Sequence, residues 1–330
     1  MSPPDRSASP SVPGPVWVMG AGSVGCYVGG CLQAAGVDVE FIGRPRVIQA
    51  LRSHGLHLTD LDGADQRIAP KALQLHEETP GGPTPPALVL LCVKSPGTAE
   101  AARQLASRLP AHTLVLSLQN GLRNASIARQ AAPRLHVLPA MVPYNIAELA
   151  PGHYHRGTTG HLAAQDTAAL AGWAPIFERA GIPLDRHADL RPVQWGKLLL
   201  NLNNPVNALS GLPLLAELLT PKHRRHFAAL MQEALGLLKT AGIQPAQLTP
   251  LPWPVLVRVL QLPTPLFRLV AARMLRIDPK ARSSMADDLA LGRTTEIEAL
   301  SGEVVRLAST LGKTAPLNEA IVKRIHALQR

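Results

Sequence analysis

In the stretch WGKLLLNLNNPVNAL, residues 195–209, one lysine and four asparagines interrupt a run of leucines. Buried amides and ammonium groups cost free energy unless they are partnered, so polar groups recurring here raise the question of a ligand. Read as one helix at about 100° per residue, Lys197, Asn201 and Asn204 fall within an arc of roughly 60°. Asn207 lies at the margin of that arc, while Asn203 points away and reads as structural. Pro205 removes an amide and frees the carbonyl of Asn201. A core helix with a snorkelling lysine shares this pattern, but three aligned polar groups favour a row that faces a ligand. A lysine in such a row can donate a proton if the site tunes its pKa, and a nearby carboxylate can position it or hold a hydroxyl. Near the C-terminus, SSMADDLALGRTTEIEALSGEVV offers Ser284, Asp287, Asp288, Arg293 and Glu296 on a predicted helix. A solvated amphipathic helix has the same spacing.

A second set of residues suits phosphate binding. VWVMGAGSVGCYVGG places Gly20, Ala21, Gly22, Ser23, Val24 and Gly25 directly after a strand and at the opening of a helix. In that context the first glycine permits a tight turn and the second lets backbone approach a pyrophosphate. The third allows close packing of helix on strand, and the helix N-terminus supplies amides and a positive dipole end. A glycine-rich turn without a ligand has the same local pattern; the position at the first strand of a βαβ unit favours a dinucleotide. The next strand, VDVEFIGRPR, ends without the acid that would bind the ribose hydroxyls of NAD. Glu40 lies too early in it, whereas Arg44, helped by Arg46, can pair with a 2′-phosphate, so NADP is the expected form. Lys94 in LLCVKS and Asn120 in LSLQNG stand at two further strand ends, where ligands bind in open α/β sheets.

These residues need elements to position them. VWVMG, VDVEFIG, ALVLLCVK and TLVLSLQN are continuous apolar runs, the mark of parallel strands covered on both faces. Helical segments near 23–35, 45–54, 97–108 and 122–130 alternate with them, and GLHLTD and IAPKALQL look like an added pair of strands. The alternation predicts a doubly wound α/β domain of Rossmann type with a parallel sheet over 15–188. Residues 1–14, rich in Pro and Ser, read as a flexible tail and not a signal peptide. From about Leu190 strand-like runs vanish and helical periodicity takes over, so 189–330 is expected to be an all-helical domain carrying the lysine row.

Composition narrows the partners. Hydrophobic residues at 46% and charged ones at 17% argue for a packed globular chain. The net charge of +10 is spread without a basic run, and aromatics are only 3%, which disfavours nucleic acid and leaves small anionic ligands. The most apolar stretch, within 250–275, is broken by prolines and arginines; it reads as no membrane span and as either core or a homodimer face. Cys26, Cys31 and Cys92 have no metal-ligand or redox spacing and suggest reduced thiols in a cytoplasmic setting. His112, His136, His153, His155 and His187 show no ligand spacing beyond the His153-x-His155 pair. No metal is expected.

In combination these motifs resemble the ketopantoate reductase (2-dehydropantoate 2-reductase) family. The likeness rests on GxGxxG at the first strand, the lysine after the fourth, QNG after the fifth, the Trp-x-Lys-Leu-x-x-x-Asn helix and SSM…D…GR-x-TEI. These run in the family order over residues 16–310. The chain departs from the family spacing Lys-x3-Asn-x3-Asn by one residue at Asn204, and it has an expanded segment before SSM. The resemblance implies NADPH-dependent reduction of a 2-oxo acid, ketopantoate, to D-pantoate in pantothenate and coenzyme A biosynthesis. It implies Lys197 as proton donor, with Asn201, Asn204 and Ser284 holding substrate. Glu296 would bind substrate or ribose hydroxyls, Asn120 would bridge cofactor and substrate, and Lys94 would contact the cofactor. Two alternatives are a related two-domain NADP-dependent hydroxyacid dehydrogenase acting on another 2-oxo acid, and a dinucleotide sensor without catalysis.

Overall fold

The computed structural model describes residues 13–81, 84–272, 275 and 281–329; the expected tail up to residue 12 lies outside them. The chain forms two compact units. One runs up to Gln119 and resumes at Asn124–Leu190; the other joins Asn120–Arg123 to the chain from Arg191 onward.

The first unit holds all twelve strands of the described residues: β1 (Val16–Met19), β2 (Val39–Ile42), β3 (Leu56–Asp60), β4 (Asp65–Ile68), β5 (Gln74–His76), β6 (Leu88–Leu91), β7 (Leu114–Ser117), β8 (His136–Met141), β9 (Ile146–Ala150), β10 (His153–Arg156), β11 (Leu162–Gln165) and β12 (Leu184–His187). Its helices are α1 (Ser23–Ala34), α2 (Pro45–His54), α3 (Thr98–Arg108), α4 (Asn124–Ala131) and α5 (Ala174–Arg179). Eight strands form one sheet in the order β12-β11-β8-β7-β6-β1-β2-β5, parallel except where β11 meets β8. Every residue of β1, β6 and β7 is buried, which is why their sequences are apolar without alternation. A smaller sheet in the order β4-β3-β10-β9 packs its Leu56, Leu58 and Tyr154 into the same core as α1. Arg156, buried in that core, is held by Asp60 at 2.6 Å and Asp62 at 3.0 Å.

The expected pair of added strands is corrected in detail. GLHLTD does form β3, but IAPKALQL spans the end of β4, a single 3-10 turn and β5, which joins the large sheet beside β2. Pro70 opens that turn; its missing N–H suits a first turn and not a ladder.

The second unit is helical, as its periodicity indicates: α6 (Arg191–Asn201), α7 (Asn203–Ser210), α8 (Leu214–Leu219), α9 (Pro221–Thr240), α10 (Trp253–Gln261), α11 (Thr264–Val270), α12 (Ser284–Ala290), α13 (Ser301–Thr310) and α14 (Pro316–Leu328). Leu198, Leu199 and Leu202 bury fully into a core shared with Phe227, Met231 and Leu260, each burial contributing about 2 kcal/mol. Arg224 of α9 lies in this core, and among the described residues no ion pair is formed by it. Its guanidinium donates to the carbonyls of Leu218, Leu260 and Leu262 at 2.6–2.8 Å and stacks over Phe267. Those carbonyls sit at the C-terminal ends of α8 and α10, where the helix dipole is negative.

Two helical expectations are corrected here. The stretch 195–209 is two helices, broken at Leu202. Pro205 lacks the N–H that would bond the Asn201 carbonyl and its ring crowds that carbonyl, so α6 ends there. Arg293 and Glu296 are not on a helix. Gly292, at φ +61°, follows the last residues of α12, and the chain reaches Glu296 as a loop before a 3-10 turn at Ile297–Ala299. The 250–275 segment packs Trp253, Leu256, Leu260 and Phe267 into its own unit and leaves Leu266, Leu269 and Val270 exposed. No helix among the described residues is long and apolar enough to cross a membrane.

Candidate active site

In the first unit the glycine loop is fixed by the strands beneath it. Gly20 turns at φ +109°, and both its amide and that of Ala21 donate to the carbonyl of Ile42 at 2.9 Å. A side chain at Gly25 would put Cβ 2.3 Å from the Gly20 carbonyl and 2.7 Å from Val18, so α1 can start this close to β1 only with glycine there. At Gly22 a Cβ would meet nothing within 4 Å, which leaves the backbone open to an approaching group. The amides of Ser23, Val24 and Gly25 belong to the first turn of α1, which has no intrahelical acceptors for them and no acidic residue. Amides without intrahelical acceptors beside open backbone are the donors that a phosphate group could use.

Near the start of β2, Glu40 accepts from Trp17 Nε1 at 3.0 Å and lies 2.9 Å from His76, so its carboxylate is committed within the sheet. Arg44 is exposed at the N-cap of α2, and Arg46 lies 3.9 Å from Glu148. Lys94 is exposed at the turn that follows β6. Sequence reasoning missed what braces that turn. Gln119 donates to the Val93 carbonyl and to Thr98, and Asn124 donates to Ser95, joining the ends of β6 and β7 through buried side chains. The signal was present as Ser95, Thr98, Gln119 and Asn124 near the two strand ends, but nothing in their spacing separates a brace from a solvated loop.

In the second unit Lys197 and Asn201 are one turn apart on α6, and Asn201 is 8% exposed. Its Nδ2 lies 3.4 Å from Asn120 Oδ1, and Asn120 Nδ2 donates to Glu296 Oε2 at 3.0 Å. Glu296 only accepts when ionised, which orients the Asn120 amide. The four residues 120–123 are tied down in turn. Gly121, at φ +87°, would place a Cβ 2.7 Å from the Ala299 carbonyl and takes a hydrogen bond from Gln194 of α6; Arg123 pairs with Glu303 at 3.3 Å. Lys197 is half-buried, and loss of solvation pushes its pKa down to about 8. The structure thus brings together Asn120, Asn201 and Glu296, with Lys197 one turn from Asn201.

The other asparagines divide by partner. Asn203 is buried and donates to Glu217 at 2.9 Å, and burial pushes the Glu217 carboxyl up to about 7. Asn207 donates to the Leu212 carbonyl and accepts from the Ser283 amide. Asn204 is half-buried on α7, and its carbonyl accepts from Ser283 Oγ, the side chain that also caps α12. Ser284 is exposed in the first turn of that helix, next to this junction. Asn204 therefore lies past Leu202 on α7, whereas Lys197 and Asn201 lie on α6. His153 and His155 both bond Thr59, at 3.0 and 2.9 Å. Among the described residues no group of three His, Cys, Asp or Glu could hold a metal ion.

Comparison with known proteins supplies a context for both units. Residues 16–168 match the family described as ketopantoate reductase PanE/ApbA, and residues 189–329 match its C-terminal counterpart. A 2-dehydropantoate 2-reductase of Halobacterium salinarum is 29% identical over 96% of this chain and 99% of its own. The crystal structure of a PanE/ApbA family ketopantoate reductase from Ralstonia eutropha superposes with a TM-score of 0.79 at 30% identity, covering 95% of this chain and 98% of that one. A D-mandelate dehydrogenase solved with NADH and anilino(oxo)acetate shares the fold, with a TM-score of 0.77 at 18% identity over 95% of this chain and 98% of that one.

Proposed function

Because the chain belongs to the ketopantoate reductase PanE/ApbA family, we propose that it reduces 2-dehydropantoate to D-pantoate with NADPH. Its cofactor is a nicotinamide dinucleotide, which supplies hydride to the 2-oxo carbon. The residues present fit that group: the amides of Ser23, Val24 and Gly25 take the pyrophosphate against the open backbone at Gly22. Arg44, exposed at the start of α2, supports the 2′-phosphorylated form, since a guanidinium pairs with phosphate in two parallel bonds. Lys94 and Asn120 are the further cofactor contacts we assign.

The observation that carries the chemistry is the depressed lysine beside an ordered polar chain. Lys197 holds a proton that burial has made easier to give up, and we assign it as donor to the alkoxide forming on the substrate. Asn201 and Asn204 hold the carboxylate and hydroxyl groups of the substrate, with Ser284 beside Asn204. Asn203 is excluded from that role because its amide is engaged by Glu217. Glu296, fixed through Asn120, binds a substrate or ribose hydroxyl and orients the site around Lys197.

The test is NADPH oxidation with ketopantoate beside pyruvate, 2-oxoisovalerate and an aryl 2-oxo acid. Ketopantoate is expected to give the highest kcat/KM. Lys197→Ala is expected to lose at least about 1,000-fold in kcat, within the span of general acid catalysis combined with positioning, while NADPH binding followed by fluorescence is retained. Full turnover by this variant would remove the proposed proton donor. Preference for another 2-oxo acid would keep the reaction class and replace the substrate.

A further inference from the structure

Elsewhere in the second unit a cavity of about 340 Å³ is lined by Val206 and Leu209 of α7, Lys222, His223 and His226 of α9, and Arg324 of α14. Four of its six walls are basic and none is a carboxylate. Lys222, His223 and His226 also occupy the first two turns of a 20-residue helix, the end at which the helix dipole adds positive potential. The two imidazoles are held below the usual histidine range. Burial is the first cause; Lys222 acts next on His223, and Arg324 and His223 act next on His226. The remaining wall, from α7, is aliphatic. Like charges gathered around a cavity repel one another unless an anion is supplied.

We propose that this cavity binds a small organic phosphate, a dianion gripped by Lys222, Arg324 and the two histidines with a short carbon chain against Val206 and Leu209. A monoanion would leave one of the two standing charges, Lys222 and Arg324, uncompensated, and an arginine fork matches phosphate oxygens. The volume lies at the small end of ligand sites, which start near about 300 Å³. An anion in place raises the pKa of both imidazoles, so binding takes up protons and strengthens as pH falls through the histidine range. The site stands apart from the residues assigned to catalysis, although α7 carries both its aliphatic wall and Asn204.

Isothermal titration of the full chain with monobutyl phosphate, at about pH 7 and about pH 8.5, both above the second phosphate pKa of about 6 so that the ligand stays mainly a dianion, in buffers of different ionisation enthalpy, tests the proposal. The expected result is binding about ten-fold tighter at the lower pH with net proton uptake, and inorganic phosphate and butyrate each several-fold weaker. Arg324→Gln and His226→Gln, checked for unchanged circular dichroism, are each expected to weaken binding about ten-fold, whereas Arg44→Gln and Lys197→Ala leave it unchanged. Undiminished affinity in both cavity variants, or binding without proton uptake, would overturn the site. Butyrate binding as tightly as butyl phosphate would overturn its dianion specificity.

Discussion

The proton-donor role proposed for Lys197 rests on its loss of solvation, which makes the ammonium easier to deprotonate. Its pKa is pushed down to about 8, so the donor is charged below that pH and neutral above it. Ketopantoate reduction is therefore expected to slow as pH rises through about 8, while oxidation of D-pantoate, which needs the neutral amine, rises over the same range; paired kcat–pH profiles check both limbs. At the cofactor end, Arg44→Gln is expected to raise KM for NADPH about ten-fold or more and leave KM for NADH nearly unchanged. Equal effects on the two cofactors would assign Arg44 to α2 alone. Spacing in the sequence made Lys197 and Asn201 legible, since one helical turn separates them on an otherwise apolar segment. It could not reveal Glu217, an acid inside LLAELL, because burial without water is decided by which helices pack over it. Contact with Glu217 supports the reading of Asn203 as structural that its place on the helix suggested.

Among the elements, those with a strong local cause are the ones the sequence discloses. Continuous apolar runs announce β1, β2, β6 and β7 because neighbours cover both of their faces. The strands from β9 to β12 stay hidden: Ile146–Ala150 is an exposed edge, and His153–Arg156 and Leu184–His187 carry polar residues that partner charges or solvent. The break between α6 and α7 follows from Pro205, but its effect on the polar row depends on where α7 then packs. Helix ends also set the burial of Arg224, whose three carbonyl acceptors hold the ends of α8 and α10. Arg224→Met keeps bulk and leaves those three carbonyls unsatisfied, so it is expected to cost about 3 kcal/mol, at about 1 kcal/mol for each lost acceptor partner. The urea midpoint followed by tryptophan fluorescence, with Trp195 and Trp253 in the affected core, measures it; a loss under about 1 kcal/mol would mean that α9 is held mainly by its apolar face.

At the scale of the whole molecule, each of the two units has hydrophobic core of its own, and all three cysteines lie in the first. Burial pushes the Cys26 and Cys31 thiols up to about 12, so the thiolate needed for alkylation is scarce at neutral pH. Both are expected to resist iodoacetamide in the native chain and to become reactive as the first unit opens in denaturant. Mass spectrometry with urea, set beside the fluorescence of Trp195 and Trp253, shows whether the units unfold together. One connection bears on how such a chain is made. Residues 120–123 leave the ribosome with the first unit, yet Gln194, Asn201, Glu296, Ala299 and Glu303, which hold them, are translated much later. A nascent chain can finish most of its sheet while this short loop waits unclaimed. A gene fragment beginning at residue 189 encodes the helices but omits Asn120, and with it the link between Asn201 and Glu296.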